Sequence, residues 1–224
     1  MCIKYGVFDY EIYNNRIGIS GCDKSAEIVE IPAEIDGLTV KIIANSAFED
    51  CEKLRSISIP DSVIHIGESA FSGCESLTSI KIPDSVIYIG AFAFSVCMEL
   101  TSIVIPDTDN IRYIRQGTFL NCENLKSIII PDGVRVISQE AFRGCDSLTS
   151  VLLPSSIKSI GLCAFCFCEN LKSMTIMNPD CDIYDSDDTI CGYSDTESDC
   201  TIYGYENSTA QKYAEKYGRK FIKL

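Results

Sequence analysis

The chain has 224 residues, a hydrophobic fraction of 46% and a formal net charge of -13. That apolar content suffices for a large core, and the acidic balance excludes nucleic acid and anionic membrane surfaces as partners, because both need clustered Lys and Arg. No stretch approaches the ~18 consecutive apolar residues of a membrane-spanning helix.

The N-terminus, Met1-Cys2-Ile3-Lys4-Tyr5-Gly6, has no apolar signal region, so the chain is read either as intracellular or as following a removed leader. Phe8-Asp9-Tyr10-Glu11-Ile12 alternates in polarity, Asn14-Asn15 supplies residues that tolerate positive φ, and Arg16-Ile17-Gly18-Ile19 alternates again. This pattern predicts a β-hairpin. It leads into a first strand over residues 27–31, closed by Pro32.

A motif then returns through most of the chain: Leu-x-x-Ile-x-Ile-Pro, Val-x-x-Ile-Gly, Ala-Phe-x-x-Cys. Its Phe falls at Phe48, Phe71, Phe94, Phe119, Phe142 and Phe165, in steps of 23, 23, 25, 23 and 23 residues. A fixed period of this size predicts a solenoid in which each coil buries its apolar side chains against its neighbours. In the unit from Leu54 to Ser76, Leu54, Ile57 and Ile59 form one strand that Pro60 ends. Asp61-Ser62 makes a turn, and Val63 and Ile66 point inward from a second short strand. Gly67 allows a close turn, and Ala70, Phe71 and Cys74 fill the centre from a tight helical turn. Each coil is thus expected to have two extended edges. The two extra residues of the fourth unit fall in Asp107-Thr108-Asp109-Asn110, a loop insertion. Elsewhere Thr118 replaces the Ala of the motif, and Arg115 and Ser138 replace its Gly.

Cys51, Cys74, Cys97, Cys122, Cys145 and Cys168 each follow the motif Phe by three residues. Equivalent positions of stacked coils lie about 4.8 Å apart with parallel side chains, whereas a disulfide needs Cβ atoms about 3.8 Å apart and facing each other. The ladder is therefore expected to be buried and reduced, with Cys acting as a small hydrophobe.

At the C-terminal end, the segment from Asn178 to Asn207 holds nine acids and no Lys or Arg, and is read as a solvated charged loop. Its Asp185-Ser186-Asp187-Asp188 cluster invites calcium, but the Gly and distal Glu of an EF-hand loop are missing. Ser208-Thr209-Ala210-Gln211 fits a capping box. Ala210, Tyr213, Ala214 and Tyr217 recur at helical spacing before Gly218, and Phe221 to Leu224 reads as a last strand. Asn207-Ser208-Thr209 is formally a glycosylation sequon, but Ser208 is better read as the helix cap.

Ser56-Ile57-Ser58-Ile59-Pro60-Asp61-Ser62-Val63 with Ala70-Phe71-Ser72-Gly73-Cys74, repeated in five further units, resembles the BspA-like leucine-rich repeat family. The likeness covers about residues 28–176, and Tyr203 to Ala214 resembles the family's terminal segment. It implies a right-handed leucine-rich-repeat solenoid, mainly β with short helical turns, with an N-terminal hairpin cap and a helix-containing C-terminal cap. The expected division is residues 1–45 for the N-terminal cap and first partial repeat, 46–176 for six repeats and 177–224 for the acidic segment and cap. The resemblance also implies a non-catalytic, protein-binding role without a cofactor. An adhesin-like location on or outside a microbial cell is one expectation, and an intracellular scaffold is the alternative.

On the strand Leu-x-x-Ile-x-Ile the third and fifth positions face outward. The third is Ser56, Ser79, Ser102, Ser127, Ser150 and Ser173; the fifth is Ser58, Lys81, Val104, Ile129, Leu152 and Thr175. Ser102, Val104, Ser127, Ile129, Ser150 and Leu152 therefore form the candidate partner-binding surface, because extended solenoid sheets present pre-ordered side chains. The acids Asp84, Asp107 and Asp132 lie beside it. On the other edge, Ile64, Ile87, Tyr88, Tyr113 and Val136, with Arg112, Arg135 and Lys158, are read as core edge or as a second interface. Cys163-x-x-Cys166-x-Cys168 has metal-like spacing but lacks a fourth ligand. Cys181, Cys191 and Cys200 lie outside the ladder, where a disulfide is open. His65 is the chain's one histidine, and no phosphate loop, Ser elbow or paired-His motif accompanies it.

Overall fold

A computed structural model describes residues 3–190 and 200–224. It is a β-solenoid of about nine turns with one helix near the C-terminus. Short parallel strands repeat along two edges. On the first edge Ser79–Lys81 pairs with Ser102–Val104 in register, and Ser150–Leu153 pairs with Ser173–Ile176. On the second, His65–Ile66 pairs with Tyr88–Ile89, and Tyr113–Ile114 with Val136–Ile137.

The expected tight turn of each coil, closed by bonds such as Cys51 N–H to the Phe48 carbonyl at 3.1 Å, is at the same time a third hydrogen-bonded edge. The Phe N–H of each coil donates to the next coil, as in Phe48 to the Ala70 carbonyl and Phe71 to the Ala93 carbonyl, both at 2.8 Å. This geometry needs two positive-φ residues per coil, four apart. Gly73, Gly117 and Gly144 fill some of these places, but Ser69, Phe92, Val96, Asn121 and Glu140 fill others. Left-handed backbone costs an L-residue roughly 1–2 kcal/mol, so this edge is held by its coil-to-coil bonds against local preference. The motif glycine has a steric reason. A Cβ at Gly67 would meet the Asn45 amide nitrogen at 2.5 Å, and one at Gly161 the Gln139 nitrogen at 2.6 Å.

The core runs the length of the stack. The six motif phenylalanines are fully buried, with ring centroids 5.0–5.8 Å apart and planes within 16° of parallel. The widest step, 5.8 Å, is Phe94 to Phe119, where the two-residue insertion falls. Phe8 meets Phe48 edge-on at 6.5 Å and closes the N-terminal end of the stack.

The N-terminal hairpin forms as expected: Phe8–Tyr13 pairs antiparallel with Arg16–Cys22, and Asn14 and Asn15 both have positive φ. Two further elements join it. Ile3–Tyr5 adds an antiparallel strand, and Glu34–Ile35 pairs with Leu38–Ile43 across Asp36-Gly37, a positive-φ turn pair. At the other end the helix Thr209–Lys216 starts on Ser208, whose hydroxyl accepts from the Gln211 N–H at 3.2 Å. The Gln211 side chain reaches back to the Asn207 N–H at 2.7 Å, one residue earlier than in a standard capping box. Gly218 ends the helix with positive φ, and the last strand is Lys220–Lys223.

Candidate partner-binding surface

The strand that carries the surface is set by alternation. Ile103, Ile105, Ile128, Ile130, Val151 and Leu153 are buried, which turns the intervening residues outward. Val104, Ile129 and Leu152 are 64%, 81% and 58% exposed, and Ser102, Ser127 and Ser150 are exposed beside them. Ser102 bridges Ser127 in parallel register, so the rungs are adjacent. All six residues are exposed on this edge, which is interrupted between Ser127 and Ser150, where no strand pairing joins the two coils.

On the second edge, neither outward position enters the core. Ile87, Arg112, Tyr113 and Lys158 are exposed, and Ile64, His65, Tyr88, Arg135 and Val136 are half-buried. The expectation that one of the two positions tucks partly inward holds for His65, Tyr88 and Val136, beside the interior Val63, Ile66, Val86 and Ile89, while Tyr113 stays exposed. His65 stacks on Tyr88 at 4.3 Å, and the Arg115 guanidinium lies 4.4 Å from the centre of the Tyr88 ring and 5.4 Å from that of Tyr113. Burial, and then the Arg115 charge, hold the His65 imidazole below its ordinary pKa. An open groove of about 460 Å³ beside it is lined by Glu11, Tyr13, Ser20, Ile42, Ala44 and Asn45.

The ladder thiols are free and buried. Each from Cys74 onward donates to the Phe carbonyl of the preceding coil, as in Cys97 to Phe71 at 3.2 Å and Cys168 to Phe142 at 3.1 Å. Burial pushes the Cys122 and Cys168 thiols up to about 12. Cys51 has no preceding motif Phe, and the neighbouring Cys22 thiol holds its pKa below the ordinary value. Of the metal-spaced cysteines, Cys168 thus points into the ladder, while Cys163 is half-buried and Cys166 buried, both as free thiols. Cys181 is free and Cys200 is disulfide-bonded; Cys191 lies outside the described residues.

The acidic segment is more than a solvated loop. Asp185 pairs with Lys216 and accepts from the Tyr217 hydroxyl at 2.8 Å. Asp187 pairs with Arg219 at 2.7 Å and Glu206 with Lys223 at 2.6 Å. Sequence reasoning missed these partners because they lie 17–32 residues apart. Among the described residues no group of His, Cys, Asp or Glu is arranged to hold a metal ion. Also among them, no helix is long and apolar enough to cross a membrane.

A stacked Phe core and short parallel strands repeating in register along the coils define a leucine-rich-repeat protein. The profile of the BspA type leucine rich repeat region matches residues 41–172 in six copies, and the chain belongs to this family. Among solved structures, the chain is similar to the leucine rich repeat protein TpLRR of T. pallidum, with 28% identity and a TM-score of 0.72 over 96% of this chain and 95% of that one. It shares its fold with a leucine-rich repeat protein from Eubacterium ventriosum, at 24% identity and a TM-score of 0.60 over 73% of this chain and 44% of that one. A leucine-rich repeat protein from Bacteroides ovatus shares it too, at 20% identity and 0.51 over 99% and 76%. No curated protein matches the sequence.

Proposed function

We propose that this chain is a non-catalytic protein-binding module that grips its partner through Ser102, Val104, Ser127, Ile129, Ser150 and Leu152. The observation that carries this reading is the contiguous column of three strongly exposed aliphatic side chains on adjacent rungs. Burying such a stripe favours association, and the surrounding serines supply a polar rim. Each exposed side chain is flanked by buried neighbours that hold its backbone in place, so the column loses little entropy on binding. Family membership supports a display role, adhesin-like at a cell surface. The ten free cysteines among the described residues favour the alternative of an intracellular scaffold. Cell fractionation separates the two.

The test of the surface is the triple variant V104S/I129T/L152T, assayed against a partner recovered on the immobilised wild-type chain. An unchanged unfolding midpoint with at least about ten-fold weaker binding is expected. Undiminished binding refutes the surface.

A further inference from the structure

The second edge is broken between the third and fourth coils. Its strands form one sheet up to Tyr88–Ile89 and another from Tyr113–Ile114 onward, and these two do not pair. Elsewhere the rungs are bonded in one pattern: Ile64 N–H to the Lys41 carbonyl, Ile87 to Ile64, Arg135 to Arg112, Lys158 to Arg135. Among the described residues, the Arg112 and Arg115 N–H groups have no acceptor and the Ile87 carbonyl has no donor. A crevice of about 20 Å³ opens there, lined by Ile87, Tyr88, Asn110, Arg112, Tyr113 and Arg115. That is room for about one oxygen-sized group.

The break is also where cations gather in an otherwise acidic chain. Arg112, Arg135 and Lys158 occupy one column on successive rungs, and like charges facing each other across strands are destabilising. Among the described residues none of them, nor Arg115, forms an ion pair or a side-chain hydrogen bond. Arg115 takes a place that is Gly67, Gly90 and Gly161 in other coils, and its guanidinium is held over two tyrosine rings with its donors unused. A fixed guanidinium beside free backbone N–H groups is a receptor for a carboxylate.

We propose that this break binds a carboxylate from an acidic segment of a protein partner, on a surface separate from the sheet face above. Arg112 and Arg115 receive the carboxylate, and Arg135 and Lys158 extend the cationic track. A peptide is favoured over a sulfated glycan because the column turns apolar on its other side, through Ile87 and Ile64 with Tyr113 exposed alongside. Only a ligand with apolar and anionic groups at opposite ends matches both halves.

The probe is a fluorescein-labelled peptide with leucines at one end and glutamates at the other, titrated by anisotropy at low salt. Replacing each glutamate by glutamine is expected to weaken binding about ten-fold or more, and added salt to weaken it progressively. Arg115→Gly, which restores the residue of other coils, and Arg112→Gln with Arg115→Gln are each expected to weaken it about ten-fold with the unfolding midpoint retained. The sheet-face triple variant is expected to bind the peptide unchanged. No binding at low salt, equal binding of the glutamine peptide, or undiminished binding by both arginine variants overturns the proposal and leaves the crevice to a bridging water. A heparin fragment that binds more tightly than the peptide, or inorganic phosphate that displaces it at equal concentration, overturns the peptide as partner.

Discussion

The central coils and the C-terminal cap are stabilised by different chemistry. Between Phe48 and Phe165 the interior is a stack of rings, aliphatic residues and neutral thiols, fixed by steric fit and coil-to-coil bonds. The cap is a short helix joined to the acidic segment by Lys216, Tyr217 and Arg219, and by Glu206 to Lys223. A repeat stack needs no charge to set its register, because each coil templates the next. A terminal element has a neighbour on one side only, so polar caps and ion pairs take over that task.

The sharpest way to break the stack is from its middle. Phe94→Ala leaves a cavity between two stacked rings, at 5.4 and 5.8 Å, and is expected to cost about 3–5 kcal/mol in a denaturant titration. Gly161→Ala drives a Cβ into the Gln139 backbone and should cost about 1–3 kcal/mol. In the cap, Ser208→Ala removes the helix N-cap and should cost about 1 kcal/mol. Its hydrogen-exchange effect should be confined to residues 208–223. Val96→Gly relieves a β-branched residue at φ 58° and should stabilise by about 0.5–1 kcal/mol. A loss of stability there would show that the Val96 side chain packs in a way its backbone strain conceals.

Acid and alkali should separate the two regions. Hydrogen bonds from Lys216 and Tyr217 hold the Asp185 carboxyl below its usual range, and Lys223 does the same for Glu206. Depressed carboxylates stabilise above their unfolded pKa and lose that contribution as pH falls through the folded value. Acid below about pH 4 should therefore loosen the cap first. The ladder thiols are raised, to about 12 for Cys122 and Cys168. Their contribution is complete below the unfolded thiol pKa, near 9, and is lost as pH rises toward 12. Alkali should therefore weaken the central coils, which hydrogen exchange at the two pH extremes would resolve.

The sequence by itself determined the period, the Phe and Cys columns, the hairpin turn at Asn14-Asn15 and the Ser208 helix cap. Each is a local or strictly repeating signal, so one unit suffices to read the rest. Which strand residues face outward was also legible, because Val104, Ile129 and Leu152 alternate with buried neighbours. The Asp36-Gly37 turn was legible in principle, as an Asp-Gly pair between strand-like runs. Tertiary structure alone decided three things. The tight turn of the Ala-Phe segment is also a third bonded edge, because alternate N–H groups find carbonyls one coil onward while those between them close the turn itself. The acidic segment found its cations 17–32 residues away, at a spacing set by how the chain returns on itself. The gap at Arg112 and Arg115 falls in the coil that carries both the two-residue insertion and Arg115 in place of the motif glycine, and only stacking shows which hydrogen bonds that coil fails to make.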